Sequence, residues 1–195
     1  MSLTILRPLR TNCITQGFGP EKTSIRMLPI YQKMGLKAHN GVDIACWRGE
    51  PIYHSANFEG KAKTEIDMKG GIGVDIISSE KFEDGYHRKM RYWHFQKAAV
   101  YDGQIIKMGD LIGWGNSTGM STGDHLHLGF KRCDEQGEPV DRNNGYYGAM
   151  DFSQWFENEF IHKETLDTLK LIVEDLRSKL IELKYAYFLD KTKQK

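Results

Sequence analysis

The sequence TGDHLHLGF, residues 122–130, places two of the chain's seven histidines two positions apart. Side chains alternate between the two faces of a β-strand, so His125 and His127 share one face while Leu126 and Leu128 share the other. This alternation of polar and apolar residues predicts a half-buried strand. Two imidazoles on one strand face can bind a metal ion or divide the work of ligand and base. A pair of surface histidines explains the spacing equally well.

Length and composition predict one domain of ordinary size with room for an appendage. A hydrophobic fraction of 39% is enough for a core. Lys+Arg, at 27, nearly balances Asp+Glu, at 26, which gives no reason to expect nucleic acid as a partner. Cys13, Cys46 and Cys133 are widely spaced and form no CxxC pair. A disulfide framework or a cysteine zinc site is therefore not expected.

Neither a signal peptide nor a membrane span is predicted. The first residues, MSLTILRPLRTNC, carry arginines inside a short apolar stretch, unlike the uninterrupted apolar region of a leader. Nowhere does the sequence contain about 18 consecutive apolar residues, the length that a membrane-spanning helix requires.

The patterning divides the chain near residue 158. Residues 1–158 contain short apolar-alternating segments such as IGVDIISS, separated by turn signals such as KGG and YDG, which predict a mainly β domain. Residues 159–195 lack glycine and have apolar residues at three-four spacing, which predicts a C-terminal amphipathic α-helix. This helical tail either packs on its own or a neighbouring domain, or self-associates as a coiled coil.

Two further segments carry residues with similar chemistry. In AHNGVDIA, residues 38–45, an extended chain puts His39 and Asp43 on one face, and an imidazole with a carboxylate suits Zn²⁺. A turn aspartate beside an incidental histidine would give the same pattern. His94 lies between two aromatic residues in RYWHFQ, residues 91–96, where a buried core histidine is the plainer interpretation.

Taken in order, these segments resemble the motifs of the lysostaphin-type zinc endopeptidases, which cut peptidoglycan peptides. The resemblance covers about residues 14–131 and is carried by TQGFG, HNGVDIACWRGEPIYHSANFEGKAK, RYWHFQ and GQIIKMGDLIGWGNSTGMSTGDHLHLGF. Two departures stand out. Gly129 replaces the family's usual glutamate, and Asp124 replaces its usual proline, but neither is a ligand position. His54, His87 and His162 have no counterpart in the motifs and are interpreted as surface or loop histidines.

The resemblance implies a mostly antiparallel β-sheet peptidase domain with a zinc groove. His39, Asp43 and His127 would hold one Zn²⁺ per chain and leave a fourth position open, the arrangement of a catalytic site. His94 and His125 would share the roles of general base and of general acid or oxyanion stabiliser. The segment at residues 22–37 is a candidate groove wall, although ordinary loop packing also accounts for it.

The implied activity is hydrolysis of peptide bonds in bacterial peptidoglycan, in a cross-bridge or a stem peptide, by a zinc-activated water. The implied partner is the peptidoglycan peptide, and the implied place of action is the bacterial cell wall. Without a visible leader, the chain would be phage-encoded or delivered by another route. The alternatives are a non-catalytic regulator of wall enzymes and a structural module of a phage particle that docks through the C-terminal helix. The presence of all five site residues favours the enzyme.

Overall fold

The computed structural model describes residues 3–160 and, beyond them, residues 176, 177, 179 and 180, which are helical. The chain divides into two units, Met1–Phe160 and Ile161–Lys195, and the elements below belong to the first. His162 and almost all of the predicted C-terminal helix lie outside the described residues. The boundary at residue 158 therefore stays a prediction, and self-association through the tail has no support in the described residues.

The regular secondary structure of residues 3–160 is predominantly β-strand, because short apolar-alternating segments form strands and glycine-containing turns separate them. The strands are β1 Ile5–Arg7, β2 Ile14–Gln16, β3 Val42–Ala45, β4 Pro51–Tyr53, β5 Gly60–Ile66, β6 Ile72–Ser78, β7 His87–Trp93, β8 Phe95–Ala98, β9 Ile105–Ile106, β10 Leu111–Gly115, β11 His125–Cys133 and β12 Phe156–Phe160. A short helix, α1, covers Leu28–Lys33, and 3₁₀ turns cover Pro20–Lys22 and Ser153–Trp155. No described helix has the length and apolar character to cross a membrane.

The strands form three sheets. A seven-stranded sheet has the order β2-β3-β11-β7-β6-β5-β9, a three-stranded sheet has the order β4-β10-β8, and β1 pairs with β12. The β1–β12 pair is parallel, while the named strands of the other two sheets pair antiparallel within the described residues. The predicted mainly β, mostly antiparallel fold is confirmed.

The apolar face of the seven-stranded sheet belongs to one core that also includes the three-stranded sheet. Leu126 and Leu128 of β11 are fully buried and share this core with Ile52 of β4 and Ile112 of β10. Burying a leucine side chain contributes roughly 1.5–3 kcal/mol. The leucines of the His-Leu-His-Leu alternation thus anchor β11, and its histidines are left on the opposite face.

Two histidines interpreted from the sequence as surface or loop residues are buried, so the interpretation as surface residues is wrong. His54 is 1% exposed, with Nδ1 2.9 Å from the Tyr92 hydroxyl and Nε2 3.0 Å from the Phe58 carbonyl. His87 is 8% exposed and donates from Nδ1 to the Ser78 carbonyl at 2.7 Å. Their polar atoms are satisfied by partners that strand pairing and tertiary packing supply, which explains why burial is tolerated.

Candidate metal centre

Antiparallel pairing of β3 with β11 brings three of the predicted site residues together. Asp43 lies directly opposite His127 in this pairing, and His39 reaches them from the segment before β3. His39 Nε2 is 3.0 Å from His127 Nδ1 and 3.1 Å from Asp43 Oδ1. His127 Nδ1 is 3.0 Å from the same carboxylate oxygen. The three atoms therefore converge, and among the described residues they form a group that could hold a metal ion.

Gly41 permits this convergence. A Cβ at this position would lie 2.5 Å from the Leu128 carbonyl oxygen and 2.6 Å from Cε1 of His127. Both distances are shorter than real Cβ contacts, so a larger residue would push the β3 segment away from β11. The glycine between His39 and Asp43 is thus required by packing rather than by turn geometry.

The donor set fits a zinc ion. The Gly17 carbonyl, 2.9 Å from Nδ1 of His39, accepts the proton of that nitrogen and leaves the lone pair of a neutral ring on Nε2. Zinc bonds of about 2.0–2.1 Å in tetrahedral geometry place ligand atoms about 3.3 Å apart. The observed separations of 3.0 and 3.1 Å are close to that value.

The protonation states also suit a cation. Burial alone would raise the pKa of Asp43, but the adjoining imidazoles of His127 and His39 hold that pKa below its usual range. Burial lowers the pKa of His127, against the opposing effect of Asp43. An ionised carboxylate beside neutral imidazoles is the state in which such side chains bind a metal ion.

His94 occupies the junction between two sheets. β7 of the seven-stranded sheet ends at Trp93, β8 of the three-stranded sheet begins at Phe95, and the intervening His94 has a φ of 71°. This left-handed conformation is uncommon for a residue other than glycine, and it is a strained feature that the surrounding structure maintains. The ring centroid of His94 lies 4.5 Å from that of His125 and 6.2 Å from that of His127.

His94 and His125 hold their Nδ1 protons in the same way. The Thr118 carbonyl lies 2.7 Å from Nδ1 of His94, and the Gly123 carbonyl lies 2.8 Å from Nδ1 of His125. Because a carbonyl only accepts, a neutral ring at each position carries its lone pair on Nε2. Nε2 of His125 lies 3.7 Å from Oδ1 of Asp43, so this ring borders the ligand group. Burial, with a smaller effect of the nearby histidines, lowers the pKa of His94 to about 4, which keeps it neutral at physiological pH.

All five predicted site residues line one cavity of about 770 Å³, which we call the metal groove. The segment containing α1 forms part of its wall, as Met27, Ile30, Tyr31 and Met34 line it. The Tyr31 ring lies 5.4 Å from the His39 ring, and its hydroxyl accepts a hydrogen bond from Gln16 at 2.7 Å. Burial, reinforced by Asp43, raises the pKa of Tyr31 to about 12, so the hydroxyl keeps its proton.

The sequence analysis does not identify some of the residues that line the metal groove, notably Trp93, Met120 and Ser121. The Trp93 ring packs directly over Gly73, its cross-strand partner, where a Cβ would lie 1.6 Å from the ring. A glycine opposite an aromatic residue is a usable signal, but it becomes visible only when β6 is paired with β7 in the correct register.

Comparisons with known proteins agree with the fold. Peptidase family M23 matches residues 37–142, slightly more than half of the chain. Lysostaphin of Staphylococcus simulans is 35% identical over 90 residues, covering 46% of this chain and 17% of that protein. The peptidoglycan DD-endopeptidase ShyB of Vibrio cholerae is 32% identical over 118 residues, covering 59% of this chain and 24% of that protein.

A solved zinc-containing peptidase from Vibrio cholerae has a TM-score of 0.52 and 28% identity, covering 68% of this chain and 37% of that chain. The present chain spans less than a quarter of the length of the two curated relatives named above. The family motifs identified in the sequence, the antiparallel fold and the family match agree with one another. The chain therefore belongs to peptidase family M23 and is homologous to lysostaphin and to peptidoglycan DD-endopeptidases.

Proposed function

We propose that this chain is a zinc-dependent endopeptidase that hydrolyses peptide bonds in bacterial peptidoglycan, in a cross-bridge or a stem peptide. The observation that carries the proposal is the convergence of two imidazole nitrogens and one carboxylate oxygen beside two further histidines in one groove. The substrate class is supported by the activity named for ShyB, a peptidoglycan DD-endopeptidase. The proposed place of action is accordingly the bacterial cell wall.

His39, Asp43 and His127 would hold one Zn²⁺ per chain through the three atoms that converge. Zinc at such a site supplies Lewis-acid chemistry, which polarises a carbonyl and makes water a better nucleophile near neutral pH. The protein side of the site is prepared for this ion, because His39 is oriented by the Gly17 carbonyl and Asp43 is ionised.

His94 and His125 would transfer the protons. Each ring is fixed by a backbone carbonyl at Nδ1 and has its Nε2 lone pair available to accept a proton from the attacking water. The same atom of one ring can then protonate the leaving amine, while the other stabilises the developing oxyanion. The low pKa of His94 keeps its ring in the accepting form at neutral pH.

The test combines metal analysis with digestion of purified sacculi of several chemotypes. One zinc per chain and new amino termini, identified by mass spectrometry and suppressed by a chelator, are the expected results. Stoichiometric zinc without new termini in any chemotype would favour the non-catalytic alternative. Absence of zinc binding would contradict the assigned ligands.

A further inference from the structure

A second polar cluster lies on the same sheet face as the site histidines. Lys131 follows His127 by four residues on β11, so both side chains leave the strand on the same side. Pairing of β11 with β7 sets Lys131 opposite Lys89 and Gly129 opposite Arg91. Lys89, Arg91 and Lys131, which we call the basic cluster, line a cavity of about 340 Å³.

Two of the three cations in the basic cluster are neutralised within the chain. Arg91 donates to both carboxylate oxygens of Asp75 at 2.8 Å and to Glu65 at 2.7 Å. Nζ of Lys89 lies 3.4 Å from Asp75. Asp75 is completely buried, and although burial alone would raise its pKa, Arg91 and Lys89 hold that pKa below its usual range.

Lys131 is paired differently. It is 6% exposed, and its Nζ donates to the backbone carbonyl of Tyr147 at 2.8 Å. Within the described part of the chain, no carboxylate forms an ion pair with it. Burial and the neighbouring Arg91 and Lys89 lower the pKa of Lys131 to about 8. A buried ammonium with three donors and one carbonyl partner is stabilised when an anion reaches it.

The charged residues around this cavity carry an excess of positive charge. Its cationic lining residues are Lys63, Lys89, Arg91, Lys131 and Arg142, and its anionic ones are Glu65 and Glu138. Together with Asp75 behind the basic cluster, five positive and three negative charges leave a net charge of +2. The cavity therefore attracts an anionic group.

The small cavity adjoins the metal groove. Both are lined by Asn40, Glu65, Arg91 and Tyr147. Lys131 is about 13 Å from His127 along the strand, a distance that an extended peptide covers in about four residues. A peptide whose scissile bond lies at the histidines can therefore place a group about four residues away against the basic cluster.

We propose that the basic cluster is a subsite for a free carboxylate of the peptide substrate, with Lys131 as its ion-pairing partner. The inference rests on the proposed function, because it assigns the substrate class of that same groove. A glycine cross-bridge has no ionisable side chain, whereas a stem peptide that contains diaminopimelate carries a free carboxylate. The preferred substrate is the carboxylate-bearing stem peptide, and amidation of that carboxylate weakens its binding.

The test is a binding comparison on the zinc-loaded full chain. The probe is a synthetic stem-peptide dimer whose scissile amide is replaced by a non-hydrolysable isostere. Its twin carries a carboxamide in place of the free carboxylate. Because charge-assisted hydrogen bonds are the stronger ones, we expect the free carboxylate to bind about 10- to 100-fold more tightly. Isothermal titration calorimetry gives both dissociation constants.

Matched variants locate the preference. Lys131→Gln should reduce it to about threefold or less, while Lys131→Arg should retain it. Gly129→Glu, whose Cβ would lie 3.4 Å from that of Arg91, adds an internal carboxylate and should also reduce it, whereas the equally large Gly129→Gln should not. Lys107→Gln removes one exposed charge, which in the wild type pairs with Glu59, and controls for general electrostatic attraction.

The outcomes separate this inference from the proposed function. Equal affinities of the wild type for the two probes, or equal losses of preference in Lys131→Gln and Lys107→Gln, would overturn the carboxylate subsite. Cleavable versions of the same peptides test the chemistry. If the wild type shows the binding preference but cuts neither peptide, the carboxylate subsite stands and the proposed function fails.

Discussion

Two polar clusters share one face of the seven-stranded sheet and differ in how their charges are balanced. At one end, His39, Asp43 and His127 bring three ligand atoms within 3.0–3.1 Å of one another. Further along, Asp75 is enclosed by the cations of Arg91 and Lys89. The ion pairs of Asp75 with Arg91 and Lys89 compensate their charges within the chain and serve the fold, whereas converging acceptors are arranged for a cation from outside. The comparison indicates that the polar groups without charge compensation inside the chain, which are the converging ligand atoms and the neighbouring Lys131, are the ones arranged to bind a ligand.

The largest expected effect distinguishes the cluster of predicted metal ligands from the Asp75 cluster directly. His127→Ala and His39→Ala should each lose bound zinc, and peptidoglycan cleavage should fall by more than about 10⁴-fold because the Lewis acid is lost. Elemental analysis and a sacculus digestion assay measure the two effects. His87→Gln removes a buried histidine that contacts Ser78 and should keep both zinc and activity. Stoichiometric zinc of unchanged affinity in His127→Ala would show that this ligand assignment is wrong.

A somewhat smaller effect is expected for His94 and His125, the two site histidines that are not assigned as ligands. His94→Ala and His125→Ala should keep zinc and the fold but cleave about 10²- to 10⁴-fold more slowly, which corresponds to about 3 to 5 kcal/mol of barrier. His94→Asn is the matched control for backbone strain, because asparagine tolerates the φ of 71° better than alanine does. It should lose as much activity as His94→Ala. Loss of zinc from His125→Ala with retention in His127→Ala would reverse their roles.

The sequence predicts the grouping of the site histidines well because most of these residues occur in local motifs. Alternation in DHLHLGF fixes which side chains of β11 share a face, and that face is the one that carries His125 and His127. The position of His94 is less accessible, since its conformation depends on a chain that leaves one sheet for another. An aromatic-flanked histidine gives no sign of that turn.

The buried polar contacts of Asp75 and His54 could not be predicted, because the residues that they contact are distant in the sequence. Asp75 meets Arg91 across 16 positions and His54 meets Tyr92 across 38. Strand pairing creates these contacts, and a local pattern such as IGVDIISS does not reveal which strand will lie beside it. Burial of His54 lowers its pKa to about 4, a cost that the interpretation as a surface histidine leaves out.

Removing the charge of Asp75 should lower the stability of the fold and leave zinc binding unchanged. Asp75→Asn should lower the free energy of unfolding by about 3 kcal/mol, since it leaves the buried Lys89 with a neutral partner and Arg91 with Glu65 as its remaining ion pair. Because the pKa of folded Asp75 is lowered, its contribution is present above its unfolded pKa and is lost as the pH falls through the folded value. Urea unfolding of the wild type should therefore show stability falling below about pH 4, with a flatter profile in Asp75→Asn. Loss of zinc from Asp75→Asn would mean that the Asp75 cluster and the cluster of predicted metal ligands are not independent.

The smallest expected effect concerns a residue that positions His94. Thr118 accepts the Nδ1 proton of His94 at its carbonyl, and its hydroxyl donates to the Phe95 carbonyl at 2.8 Å and accepts from the Ile72 amide at 3.1 Å. Thr118→Val keeps the shape but removes both hydroxyl bonds, so the loop that holds the imidazole should loosen. We expect kcat to fall about 3- to 10-fold, equivalent to the net worth of about one hydrogen bond, with KM and zinc content unchanged.

Thr118→Ser restores the hydroxyl and should restore kcat, which distinguishes positioning from simple packing. If serine were as slow as valine, the hydroxyl group alone would not position His94, and the methyl group would be needed beside it. If both variants cleaved at the wild-type rate, the sheet junction alone would suffice to fix His94. In that case the strained backbone at φ 71° would be set by the strands on either side of it rather than by the Thr118 loop.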